Sequence, residues 1–357
     1  MRKRVIVAMS GGVDSSTAAA LLIKEGYEVI GISMKFWNDE YYNTQKGGTC
    51  CSMDDVSDAR RVADKLGIPF YVINLEEEFR NSVINYFIDE YLIGKTPNPC
   101  IPCNKVLKFD ALVKLAEQLG ADYVATGHYA QKVRYQNGKY LLKRGKDAEK
   151  DQSYFLFNLT QEQLQRVLFP LGSYLKEEVR NHARSINLNV AEKSESQEIC
   201  FIPDNNYPAF ILKEKGTQFV KKGKIVNTAG KVLGDHNGIP FYTIGQRKGL
   251  KISSPTPLYV KQIDAARNRL IVGEKEEIKS RKFRIQNVNW FELPDKKKIH
   301  ELVQIRYRHK PVLATVFLDN LKEPEIEFDE AQQAITPGQA AVIYHNDTVL
   351  GGGWIKR

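Results

Sequence analysis

A short apolar run, Val5-Ile6-Val7-Ala8, ends in Met9-Ser10-Gly11-Gly12-Val13-Asp14-Ser15-Ser16 and then in Thr17-Ala18-Ala19-Ala20-Leu21-Leu22. The first stretch reads as a buried strand and the last as a helix. A strand, a glycine turn and a helix N-terminus gather backbone N–H groups and the positive helix end around one point, where a phosphate or pyrophosphate would sit. Gly11 and Gly12 permit close approach, while Ser10, Ser15 and Ser16 add hydroxyl donors. The stretch is neither a Walker A loop, because no Gly-Lys-Ser/Thr follows at the required spacing, nor the Gly-x-Gly-x-x-Gly dinucleotide fingerprint.

At 357 residues the chain is long for one core, so two or three domains are expected. A hydrophobic share of 42% and a charged share of 27% suit a soluble globular protein. No segment reaches the roughly 18 uncharged apolar residues of a membrane span. Met1-Arg2-Lys3-Arg4 runs straight into the first strand without the pattern of a signal peptide. The expectation is therefore a cytoplasmic protein with no membrane partner. With 52 Lys and Arg against 43 Asp and Glu, the net charge of +9 favours a polyanionic partner. Cys50, Cys51, Cys100, Cys103 and Cys200 make an odd count, which in a reducing compartment argues for thiol chemistry or metal binding over a disulfide framework.

Along the chain, 28–34 reads as a second strand, with Met34 at the end where a doubly wound sheet presents a residue to a nucleotide. A polar loop is expected from Trp37 to Thr49, ending in Cys50-Cys51, which read as two small packed residues. Helix 54–66, strand 70–73 and helix 77–92 follow, and strands alternating with helices imply a parallel sheet. The three prolines of Thr96-Pro97-Asn98-Pro99-Cys100-Ile101-Pro102-Cys103 are expected to hold a rigid loop presenting Cys103 at the start of helix 105–119. A thiol there has its thiolate stabilised. Strand 123–128 brings Gly127, fit for close approach to a nucleotide, and His128 beside the first loop. Residues 132–142 read as a hairpin with an Asn-Gly turn, 176–186 as a helix, and 193–201 as a mobile polar loop carrying Cys200. Beyond Phe210, short glycine-punctuated strands suggest a β-rich central domain and then, after the basic junction 279–282, a small β-barrel. The expected fold is thus α/β: an N-terminal doubly wound parallel sheet in 1–205, a β-rich domain in 206–276 and a C-terminal β-barrel in 277–357.

The loop Ala8-Met9-Ser10-Gly11-Gly12-Val13-Asp14-Ser15 resembles the Ser-Gly-Gly-x-Asp-Ser loop of the ATP pyrophosphatases, whose sheet is of the adenine nucleotide alpha hydrolase type. Together with Asn98 to Lys105, Thr126-Gly127-His128, Lys150-Asp151-Gln152-Ser153, Ser196 to Phe201 and Arg306-Tyr307, it resembles the tRNA-specific 2-thiouridylases over the whole chain. That resemblance implies ATP-dependent transfer of sulfur to the wobble uridine of tRNA. ATP would be held by the loop, Met34 and Gly127, with Asp14, its only acid, offering an oxygen to Mg2+. Cys200 would carry a persulfide received from a sulfur-donor protein, and Cys103 would act as nucleophile. Asn98, Pro99 and Cys100 would face the target base, with further tRNA contacts from His128, Lys150, Asp151, Gln152, Arg306, Tyr307 and Gln339. Physical reasoning supports Arg306 for phosphate and Tyr307 for stacking; Asp151 rests on the resemblance alone.

The chain departs from the family at Cys100, where many members carry aspartate. Cys100, Cys103 and Cys200 then offer three thiolates, which could hold an iron–sulfur cluster, or Cys100 is a spare thiol in the persulfide scheme. Two further classes stay open. A small-molecule synthetase of the same fold would need neither Cys103 nor Cys200, and an RNA-binding module without catalysis would be expected to lack Asp14 or a thiol.

Overall fold

The computed structural model describes residues 2–37, 53–194, 199–202 and 206–356. Cys50, Cys51, most of the loop expected between Trp37 and Thr49, and Ser196-Gln197-Glu198 lie outside the described residues. The chain divides into two compact units, one of Met1–Val83, Cys100–Pro203 and Asp347–Leu350, the other of Ile84–Pro99, Asp204–Asn346 and Gly351–Arg357.

In the first unit, β1 (Arg4–Ala8), β2 (Glu28–Lys35), β3 (Phe70–Asn74), β4 (Tyr123–Ala125) and β7 (Val167–Leu168) form a five-stranded sheet of order β3-β2-β1-β4-β7. Every pairing in it is parallel. Val5, Ile6 and Val7 are wholly buried, as a central strand covered on both faces requires. Helix α1 (Val13–Lys24) buries Val13, Ala19 and Leu22 with β1 and α2 (Met53–Leu66), while Ala18 and Leu21 pack with Tyr129, Leu171 and Val179. A helix covered on two sides can be rich in alanine because it must fit between its neighbours.

The chain winds outward from β1 through β2 to β3 and then crosses to β4 on the other side of β1. That reversal puts the ends of β1 and β4 at a topological switch point, where an open α/β sheet leaves a crevice. Between β4 and β7 a hairpin of β5 (Ala130–Arg134) and β6 (Tyr140–Arg144) forms as expected. Its connection is longer than a two-residue Asn-Gly turn: the 3-10 segment Gln136–Gly138 lies inside it, and Tyr135 donates to the Lys139 carbonyl at 2.7 Å.

The second unit holds a sheet of order β10-β11-β8-β9, built from β8 (Gly223–Asn227), β9 (Val232–His236), β10 (Tyr259–Asp264) and β11 (Arg269–Gly273). Ile225, Val260, Leu270 and Val272 form its apolar centre. Six further strands, β12 (Lys279–Trp290), β13 (Lys298–Gln304), β14 (Val312–Phe317), β15 (Glu325–Gln333), β16 (Ala340–His345) and β17 (Thr348–Lys356), run in the order β12-β15-β14-β13-β16-β17. Pairing of β12 with β17 closes them into a barrel, which leaves no open edge. The basic stretch 279–282, read from sequence as the junction that opens the last domain, is the start of a barrel strand.

Inside the barrel, Phe328 is fully buried and its ring stacks on Phe283 at 5.5 Å. Phe328→Ala is expected to cost about 3–5 kcal/mol through the cavity it leaves. A denaturant titration should show this as a lowered midpoint.

Candidate active site

The first loop leaves β1 at Ala8, and Met9 still donates to the Ile32 carbonyl at 2.8 Å. Gly11 then takes a positive φ of +71°, and a Cβ there would lie 2.1 Å from the Asp55 carbonyl oxygen. No L side chain fits, so glycine is demanded by geometry as well as by close packing. Gly12 is the N-cap of α1. Its carbonyl accepts from Ser16 Oγ at 2.8 Å, while Ser15 Oγ accepts from the Ser10 amide at 3.1 Å. The hydroxyls expected to act as phosphate donors thus also brace the turn. Ala8, Met9 and Val13 are buried beneath it.

Gly127 follows β4, and a Cβ there would lie 2.7 Å from the Ser15 amide nitrogen. The absence of a side chain at Gly127 thus lets the backbone of the first loop sit against the end of β4. Met34, near the end of β2, is buried at 6% exposure.

Asp14 is not an open carboxylate. Lys176 Nζ donates to both its oxygens at 2.8 Å, and Tyr129 Oη donates to Oδ1 at 2.8 Å. Lys176 opens the helix Lys176–Ser185, with its ammonium 5.6 Å from the centre of the Tyr129 ring. Sequence reading missed this residue. A cation in the first turn opposes the helix dipole, and that local mismatch was the one available signal of a tertiary partner. With both oxygens of its single acid taken by an ammonium, the loop is not arranged here as a ready protein ligand set for Mg2+.

The two thiol-bearing segments meet the same short helix. Helical backbone begins at Cys100, not after Cys103, because Pro102 falls in the first turn, where its missing N–H costs nothing. Cys103 starts a π-helical stretch, Cys103–Asp110, which packs against Glu76–Phe79. Such widened turns recur at functional sites. On the other side, Ile202 donates to the Ile199 carbonyl at 3.0 Å, closing a turn around Cys200. Phe201, next to Cys200, is buried with its ring 5.6 Å from Phe79. Phe79 also stacks on Phe36 at 5.0 Å and meets Trp37 at 5.6 Å, just beyond β2. Trp37, expected to begin a polar loop, is instead buried in this aromatic cluster. Cys100 is exposed, and Cys103 and Cys200 are partly exposed. Among the described residues no three His, Cys, Asp or Glu side chains group to hold a metal ion.

The remaining expected residues divide between the units. In the first, Asp151 is an internal hub: Oδ1 accepts from the Gly145 and Ser153 amides at 3.0 Å, and Oδ2 from Ser153 Oγ at 2.9 Å. Burial raises its pKa, which those bonds only partly counter. Gln152 Oε1 accepts from the Tyr129 amide at 3.0 Å, and the Lys150 amide donates to Asp147 Oδ1 at 3.3 Å. His128 is buried, hydrogen-bonded through Nδ1 to Thr126 Oγ1 at 2.7 Å, with Phe109 and Phe169 beside its ring. Burial pushes its pKa well below the usual imidazole value, and the charge of Lys108 adds to this.

In the second unit, Gln339 Nε2 donates to the Thr96 carbonyl at 2.9 Å, and the Thr96 amide donates to the Pro337 carbonyl at 2.9 Å. These bonds fix the segment that leads into Asn98 and the buried Pro99. Arg306 and Tyr307 lie in the turn after β13, their carbonyls held by Gln304 Nε2 at 3.2 and 2.7 Å. Arg306 Nη1 donates to the Gln333 carbonyl at 3.3 Å.

Two outcomes are expected. Lys176→Met strips Asp14 of its cation and should lower stability by roughly 1–3 kcal/mol, with Lys176→Arg recovering part of the loss in the same melting experiment. Because the folded pKa of His128 lies below its unfolded value near 6.5, the unfolded state takes the proton first as pH falls. Stability is then full above about pH 6.5 and declines below it, and His128→Gln should flatten that decline in midpoints measured between about pH 7.5 and 5.5.

The sequence matches the family profile described as a tRNA methyl transferase HUP domain over residues 3–204. The tRNA methyl transferase PRC-barrel domain matches 209–274, and the aminomethyltransferase beta-barrel domain matches 280–355. The chain is 53% identical to the tRNA-specific 2-thiouridylase MnmA of Geotalea uraniireducens, over 99% of this chain and 95% of that one. It is 54% identical to the MnmA of Geobacter metallireducens, over 99% and 97% of the two chains. Identity to the MnmA of Carboxydothermus hydrogenoformans is 52%, over 100% and 98%. Matched end to end at such identity, the chain belongs to the tRNA-specific 2-thiouridylase family.

Proposed function

We propose that this protein is a tRNA-uridine 2-sulfurtransferase, which spends ATP to replace the C2 oxygen of the wobble uridine with sulfur. Residues Ala8 to Ser15, with Met34 and Gly127 at the neighbouring strand ends, bind ATP. The uridine C2 oxygen attacks the α-phosphorus and pyrophosphate leaves. That oxygen, poor as a leaving group by itself, now departs as part of AMP. Cys200 carries a persulfide delivered by a sulfur-donor protein, and its terminal sulfur attacks C2 and expels AMP. The Cys103 thiolate then attacks Cys200 Sγ and breaks the sulfur–sulfur bond, releasing 2-thiouridine and leaving a Cys103–Cys200 disulfide. An external thiol reductant must open that bridge before the next turnover. Magnesium, as the counter-ion of ATP, would be held by phosphate oxygens.

The observation that carries this reading is that the two thiol-bearing segments share one neighbour. Cys103 and Cys200 stand 97 positions apart, yet their segments both pack on Glu76–Phe79. Cys103 lies in the first turn of a helical run, where the positive helix end favours its thiolate. For tRNA, Asn98, Pro99 and Cys100 meet the target base, and Lys150, Arg306 and Tyr307 offer charge and a stacking ring. His128, Asp151, Gln152 and Gln339 supply the further tRNA contacts that the family resemblance implies, each held in place by a bond to a neighbouring residue. The place of action is the cytoplasm, and no helix among the described residues is long and apolar enough to cross a membrane.

AMP release measured with and without bulk tRNA, alongside mass spectrometry of tRNA nucleosides, tests the proposal. Release is expected to depend on tRNA. Cys103→Ser and Cys200→Ser should each abolish 2-thiouridine while keeping tRNA-dependent AMP release; thiolated tRNA from either variant would require another sulfur route. Protein purified without oxygen should be free of iron, and iron with acid-labile sulfide lost in Cys100→Asp would favour the cluster chemistry instead.

A further inference from the structure

Lys193 reaches the underside of the first loop. Its Nζ donates to the Gly11 carbonyl at 3.1 Å, to Asp55 Oδ1 at 2.7 Å and to Asp58 Oδ2 at 2.6 Å. Both carboxylates belong to α2, the helix whose Asp55 carbonyl presses against Gly11. The backbone that carries Lys193 is itself held, because Arg180 donates to the Ala191 carbonyl at 2.6 Å and to the Lys193 carbonyl at 3.2 Å. Burial acts to lower the Lys193 pKa, but the bonds to Asp55 and Asp58 outweigh it and leave the pKa raised, so the ammonium stays charged.

A trans peptide is planar, and its carbonyl oxygen and the following N–H point in opposite directions. Holding the Gly11 oxygen toward Lys193 therefore aims the Gly12 N–H the other way, at the N-cap of α1, where a phosphate oxygen would accept it. An ammonium on the oxygen also polarises that peptide and strengthens its N–H as a donor. There is a second effect. Asp55 and Asp58 lie directly behind the loop, and without an ammonium between them and the loop their charge would oppose a polyphosphate.

We propose that Lys193 is a positioning residue for nucleotide binding, one that orients and polarises the Gly11–Gly12 peptide toward the phosphates and screens Asp55 and Asp58 from them. It rests on the reading that this loop binds ATP. Because Lys193 acts on phosphates and not on the nucleoside, its removal should separate two ligands that a general loosening of the fold would weaken together.

The experiment titrates ATP and adenosine, separately, into the full-length protein and its Lys193→Met and Lys193→Arg variants. The parent protein is expected to prefer ATP. Lys193→Met should bind ATP about tenfold more weakly, the loss typical of a hydrogen bond to a charged group, with adenosine affinity unchanged. Lys193→Arg should restore most of the ATP affinity. If Lys193→Met does not melt cooperatively, Lys193→Gln makes the same comparison, since its amide carries no charge. A Met or Gln variant that keeps the parent's ratio of ATP to adenosine affinity overturns the role of Lys193 alone. A parent protein with no preference for ATP overturns the ATP reading and this role with it.

Discussion

The reversal of strand order between β1 and β4 is the constraint on which the first unit depends. It opens a crevice at the carboxyl ends of those strands, and the packing there is set by backbone against backbone. Gly11 lies against the main chain of α2 and Gly127 against the main chain of α1, so the loop is packed from two sides by backbone. Such contacts cannot be remodelled by choosing another rotamer. They explain why small residues crowd this part of the sequence.

Electrostatics then completes what packing begins. A loop meant for anions is expected to be surrounded by donors and positive charge, yet it contains an acid and lies against two more, Asp55 and Asp58. Each is met by a lysine from the later part of the same unit: Lys176 on Asp14, and Lys193 on the pair in α2. The side chain of Lys176 is only 11% exposed, so its pairing is needed to offset the cost of burying its charge. Arg180, one turn further along the same helix, ties down the backbone that ends in Lys193. One helix and the strand of chain after it thus deliver both cations.

The thiols depend on a different device. Phe79 has aromatic neighbours from two directions, Phe36 and Trp37 beyond β2 and Phe201 beside Cys200. Aromatic rings bury large area in a defined geometry, so this cluster locates the Cys200 turn on the same short helix that receives the Cys103 stretch. Cys103 is placed by helix geometry and Cys200 by an adjacent hydrophobic anchor.

Much of this was legible in the sequence, for local reasons. The run Val5 to Ala8, the glycine turn and the helix after it specify a strand, a positive-φ corner and an anion-binding terminus by their own stereochemistry. Alternating strands and helices specify a parallel sheet, and short glycine-punctuated strands specify the β-rich remainder. The order of the motifs and the two distant cysteines were enough to indicate the family. What sequence could not assign were partners separated by long stretches of chain: Lys176 with Asp14, Lys193 with Gly11 and α2, Phe201 with Phe79. Their pairing has no periodicity and no fixed spacing. The same holds for the bonds that Asp151 makes to Gly145 and Ser153 and His128 makes to Thr126, which no local pattern announces. Sequence alone determined the backbone shapes that each segment could adopt, because those follow from neighbouring residues; which charges and rings meet was decided by the tertiary structure, because desolvation and packing act only once the chain has folded back on itself.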